Sequence, residues 1–140
     1  MNNYDIYYDD SIYQQAIEED RQSTYLTTPY EALKRGNIFN ELYSSYKNYR
    51  PKELTTQNEK GKILLDIRMY NQALIDLNLY LDLHPDNKEI ITLRGNYLNK
   101  YNEAVLNYER KYGPISLGSE LTKEYPWKWD ENNFPWEVRY

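Results

Sequence analysis

The sequence predicts an all-α protein: an antiparallel two-helix hairpin with an extended aromatic, proline-rich C-terminal tail and an irregular N-terminal arm carrying one short helix. Three observations predict it. Ile63, Ile67, Tyr70, Leu74, Leu77 and Leu81 recur at alternating gaps of four and three, which lays an apolar stripe along one face of a helix. Ile90, Tyr97, Tyr101, Ala104 and Tyr108 repeat the period, with Ile91, Leu98, Val105 and Tyr112 on the adjoining row. Between the stripes stands His84-Pro85-Asp86. Pro85 lacks a backbone donor and pushes His84 out of helical geometry, so the first helix stops near Leu83. A connection this short makes the two helices antiparallel neighbours.

Taken in order, residues 1–25 form an acidic, tyrosine-rich arm. Asp5, Asp9, Asp10, Glu18, Glu19 and Asp20 precede or flank a single Arg21, and Tyr4, Tyr7, Tyr8 and Tyr13 are interleaved among them. With few aliphatic residues this segment has little to bury. It reads either as a solvated tail or as a docking segment.

Residues 26–54 hold a short helix and a linker. Thr28 stands at a cap, Pro29 at the first helical position, Glu31 in the first turn and Gly36 at the stop. Ile38, Phe39, Leu42, Tyr43 and Tyr46 follow, an apolar group that needs a cover, either the hairpin or another protein. We read Ile38, Phe39, Leu42 and Tyr43 as a partner anchor. On that reading, truncating Phe39 and Tyr43 leaves folding intact and removes binding. Lys34, Arg35, Lys47, Arg50, Lys52, Lys60 and Lys62 gather around the linker and read as solvated charge.

Residues 55–113 are the hairpin. Thr56 with Glu59, and Asp86 with Glu89, have capping-box spacing and are expected to open the two helices, while Gly113-Pro114 ends the second. Asp66, Asp76 and Asp82 alternate with the stripe and read as its solvent side. Residues 114–140 are the tail. The spacing of Trp127 and Trp129 puts both rings on one side of an extended chain, and Phe134 and Trp136 continue it. These four rings either fold back over the hairpin or bind a partner.

Composition narrows the function. The absence of cysteine excludes disulfides, thiolate metal sites and cysteine nucleophiles. A net charge of −5 argues against a nucleic-acid surface. No apolar run approaches the ~20 residues that a bilayer requires. The start Met1-Asn-Asn-Tyr-Asp has neither the basic nor the apolar part of a signal peptide, so synthesis in the cytoplasm is expected. The 17 tyrosines against 2 phenylalanines suit surfaces that become buried on association.

Two resemblances follow from these motifs. Pro29-x-Glu-Ala-Leu-x-x-Gly36 running into Phe39-x-Glu-Leu-Tyr-x-x-Tyr46 resembles the spore coat protein family CotJA over about residues 29–46, with Asn37 and Asn40 where that family carries Thr and Pro. Tyr80-Leu-Asp-x-His84-Pro-Asp86, then Lys111-Tyr-Gly-Pro114, then Trp127-x-Trp129 and Pro135-Trp136-Glu137 resemble the CotJB family over about residues 60–138, with Phe134 where that family carries Trp. The resemblance implies a structural and assembly component of the bacterial endospore coat, made in the mother cell and deposited in the coat. It implies as partners a spore coat manganese catalase of CotJC type and other coat proteins. A second copy of the chain is a further expected partner.

No catalytic, cofactor or metal site is expected. Di-metal helical bundles pair Glu-x-x-His motifs, and the residue three before His84 is Leu81. His84 has no serine, cysteine or carboxylate pair tied to it by spacing and reads, with Pro85 and Asp86, as a structural turn. The alternative class is a tetratricopeptide-like adaptor, suggested by Pro85-Asp-Asn followed by Tyr97-x-x-x-Tyr101-Asn-Glu-Ala104, although no repeat of 34 residues is present. A metal-binding enzyme comes third.

Overall fold

In the computed structural model, which describes residues 25–131, the first helix is α1 (Pro29–Arg35). It begins and ends where its capping residues stand. The Thr28 hydroxyl accepts the Glu31 N–H at 3.2 Å, and the Gly36 N–H donates to the Ala32 carbonyl at 2.7 Å. Gly36 has φ +91°, and a Cβ there would meet nothing within 4 Å. Glycine is therefore required by the backbone and not by space.

The hairpin is α2 (Glu59–Leu83) and α3 (Lys88–Tyr112), 25 residues each, packed antiparallel as the paired stripes require. α2 stops at His84, whose N–H donates to the carbonyls of Tyr80 and Leu81 at 3.0 and 3.2 Å. α3 stops at Gly113, whose N–H donates to the Glu109 carbonyl at 3.0 Å. At the open end Lys111, in the last turn of α3, pairs with Glu59 in the first turn of α2.

Both helices start on caps that differ from the expected ones. Asn58, and not Thr56, caps α2 by accepting the Gly61 N–H at 2.8 Å. Asn87, and not Asp86, caps α3 by accepting the Ile90 N–H at 3.2 Å. The Asn87 amide also donates to the Tyr80 hydroxyl at 3.1 Å, a second bond that fixes the cap to the preceding helix.

The buried side chains form two clusters. Near the turn, Ala73, Leu74 and Leu77 of α2 meet Ile90 and Tyr97 of α3, and Ala32, Ile38 and Phe39 of the N-terminal segment close the same cluster. Near the open end, Ile63, Ile67 and Tyr108 pack together with Tyr112 and, beyond the helix stop, Ile115. Tyr101 lies against both clusters. Leu65 and Met69 are also buried, on a row that reaches Ala73 at steps of four and lies off the expected stripe. Ile91 of the adjoining row is exposed.

The described part of the tail is helical in two places where an extended chain was expected. A 3-10 turn spans Glu120–Lys123 and a short helix, α4, spans Lys128–Glu131. Trp127 is exposed while Trp129 is partly buried. Trp127 precedes the helix and Trp129 lies within it, so the alternation of an extended chain does not run through the pair. Among the described residues no helix is long and apolar enough to cross a membrane. Phe134, Trp136 and the acidic arm up to residue 24 lie outside the described residues.

Candidate partner-binding site

The N-terminal segment folds into a loop around α1 and docks on the turn end of the hairpin. Its two strands of chain meet in one antiparallel bridge, Leu26 with Phe39, with the Thr27 N–H donating to Ile38 O and the Asn40 N–H to Tyr25 O, both at 2.8 Å. This places Phe39 against Tyr80 of α2, with ring centroids 5.0 Å apart, and beside Tyr25 at 6.4 Å. Tyr80 in turn touches the His84 ring at 4.4 Å.

Polar groups fix the register. The Ile38 N–H donates to the Asp76 carboxylate at 2.9 Å, and Gln72 donates to its other oxygen at 3.1 Å. Asp76 is thus the docking point of the segment and not part of a solvent face. Burial pushes its carboxyl above the ordinary aspartate range, and the two donors only partly oppose that.

Arg35 holds the loop from within by donating to Asn37 O, Ile38 O and Asn40 Oδ1, and its guanidinium lies 4.9 Å from the Tyr43 ring centre. Lys34, whose side chain is nearly buried, bonds Glu31 and Glu53. Burial alone would lower its pKa, but the bonds to the two carboxylates outweigh this and raise it. Tyr30 accepts the Leu54 N–H and donates to Glu53, which ties the linker to α1. Two of the expected solvated cations, Lys34 and Arg35, are therefore structural.

These contacts redistribute the expected anchor residues. Ile38 is fully buried and Phe39 nearly so, both inside this chain's own core. The reason is the Asp76 carboxylate and the Tyr80 ring, which receive them. Tyr43 is half-buried under Arg35, and Leu42 alone of the four stands out at 71% exposure. His84, Pro85 and Asp86 form the exposed turn.

An open groove of about 400 Å³ lies where segment and hairpin meet. Phe39 and Tyr80 form its floor side by side, while Leu42, Leu79 and Leu83 line it with their side chains largely in solvent. Leu79 and Leu83 escaped the sequence reading. The signal was present in Ile75, Leu79 and Leu83, which recur every four residues off the main stripe, all three exposed.

Among the described residues no group of three His, Asp or Glu side chains is placed to hold a metal ion. Residues 61–137 match the CotJB protein family. The chain belongs to the CotJB family. CotJB proteins are spore coat proteins, and the matched region holds the whole hairpin but for its first two residues, together with the described tail. The docked segment around α1 lies outside the match to CotJB, so the family region of this chain has part of its core closed by an added piece. No curated protein and no solved structure matches the chain.

Proposed function

We propose that this coat component is a non-catalytic assembly protein that binds a spore coat manganese catalase and recruits it to the coat, after synthesis in the mother cell. The observation that carries the reading is the aromatic surface of the tail within the family region. Tyr125 is 99% exposed and Trp127 is more than half exposed, on a turn that leads into α4. Aromatic rings held in water on an otherwise folded domain are suited to become the buried centre of an interface. Phe134 and Trp136 extend the same tail by sequence.

Co-expression with the manganese catalase of the same coat tests the reading. Tyr125→Ala with Trp127→Ala is expected to leave the melting temperature unchanged and to abolish co-purification. A wild-type chain that fails to co-purify, or a double variant that binds as well as wild type, would overturn it.

A further inference from the structure

The groove and the loop that follows it carry opposite charge. The two carboxylates of Glu41 and Asp76 line the groove, and no Lys or Arg does. Leu79 at 62% and Leu83 at 78% exposure present aliphatic walls beside them. The loop at residues 46–52 is the converse. Its Tyr49 N–H donates to Tyr46 O at 3.1 Å and Asn48 has φ +65°, which makes a tight turn with a tyrosine at each corner. Tyr46 is 84% exposed and Tyr49 is exposed too, and neither lines the groove of its own chain. Lys47, Arg50 and Lys52 neighbour the two tyrosines in sequence, with no acid inside the loop.

We propose that the groove of one copy receives the 46–52 loop of a second copy, with Tyr46 and Tyr49 against Leu79, Leu83 and Leu42, and Lys47 and Arg50 against Glu41, the exposed carboxylate of the groove. The occupant follows from charge. The arm at residues 1–24 carries six carboxylates and one arginine, the same sign as the groove, whereas the loop is a compact basic element on a chain of net charge −5. The turn fixes the backbone that carries both tyrosines, which lowers the ordering cost of binding. Because groove and loop are different surfaces, each copy offers one of each. The contact closes into a dimer if reciprocal and extends into a chain of copies if not. The tail aromatics assigned to the catalase take no part.

Sedimentation equilibrium of the full chain tests this. The expected result is growth from the 17.0 kDa monomer to larger species with rising concentration, reversed by salt because the pairing is partly ionic. Leu79→Glu with Leu83→Glu, and separately Lys47→Glu with Arg50→Glu, should each weaken association by about tenfold or more, the scale of losing interface anchors. Mixing the two variants should restore a heterodimer, since one intact groove then meets one intact loop. A wild-type chain that stays monomeric into the hundreds of micromolar overturns the proposal, also if its groove then takes a foreign basic peptide. So do variants that associate as wild type, or a mixture without heterodimer. Should a variant not fold, carbodiimide cross-linking of mixed ¹⁴N and ¹⁵N wild-type chains decides: an inter-chain bond from Lys47 or Lys52 to Glu41 is expected, and its absence overturns the contact.

Discussion

Asp76 is where the N-terminal segment is bonded to the hairpin, and two substitutions separate its bond from its charge. Asp76→Ala leaves the Ile38 N–H without its acceptor and is expected to cost about 1–3 kcal/mol in urea unfolding. Asp76→Asn keeps an acceptor oxygen and is expected to cost less. Its pH dependence has a definite sign. Burial raises the folded carboxyl, so the folded chain holds that proton more tightly than the unfolded one. The resulting stability is present below the unfolded aspartate pKa of about 3.9 and is lost as pH rises through the raised folded value. Asp76→Asn, which does not titrate, should therefore gain on wild type as pH rises from 4 to 7. Glu53 and Glu59 are lowered by their bonds to Lys34 and Lys111, so they lose stability as pH falls, equally in both proteins. Tyr108 offers a second test. Its hydroxyl is buried with no hydrogen-bond partner among the described residues, so Tyr108→Phe is expected to be neutral or stabilising. A loss above about 1 kcal/mol, the worth of a typical hydrogen bond, would reveal a partner for that hydroxyl.

At the scale of elements, the hairpin was legible because its stripes, its proline and its glycine stop agree with one another. Leu77, at the centre of the first stripe, is fully buried, and Leu77→Ala is expected to cost about 2–5 kcal/mol through lost burial and a cavity. Gly36→Ala should cost about 1–2 kcal/mol with no clash involved, because the penalty lies in the left-handed backbone. Chemical denaturation measures both. The caps were less legible where two candidates stand close together. Thr28 stands directly before Pro29, which marks the first helical position and decides against Thr27, and the expected cap is the observed one. Thr56 competes with Asn58, and Asp86 with Asn87, and the outcome for Asn87 depends on a hydroxyl from Tyr80 in the preceding helix. Periodicity also assumes one covered face per helix. α2 has two neighbours, α3 and α1, so Ala73 and Asp76 are used by contacts that a single stripe does not announce.

Across the whole molecule, the two ends of the hairpin are closed by different pieces of chain. The open end is sealed by Tyr112 and Ile115, which are continuous with α3, whereas the turn end is sealed by Ala32, Ile38 and Phe39 from a segment joined through a linker. The sequence showed that Ile38 and Phe39 need a cover but not which surface supplies it. That choice depends on the long-range pairing of Phe39 with Tyr80 and of Ile38 with Asp76. The consequence is a regional dependence that hydrogen exchange can read. Phe39→Ala is expected to lower global stability by about 3–5 kcal/mol, as for other buried phenylalanines, instead of leaving melting unchanged as a free anchor would. Below the global transition the loss should be uneven. Amides around Leu74, Leu77, Ile90 and Tyr97 should exchange faster, while those around Ile63, Ile67 and Tyr108 keep more of their protection, because their cluster does not contain the phenylalanine. Equal loss at both ends would mean that Tyr101, which touches both clusters, couples them into one cooperative unit and that the segment stabilises the entire hairpin.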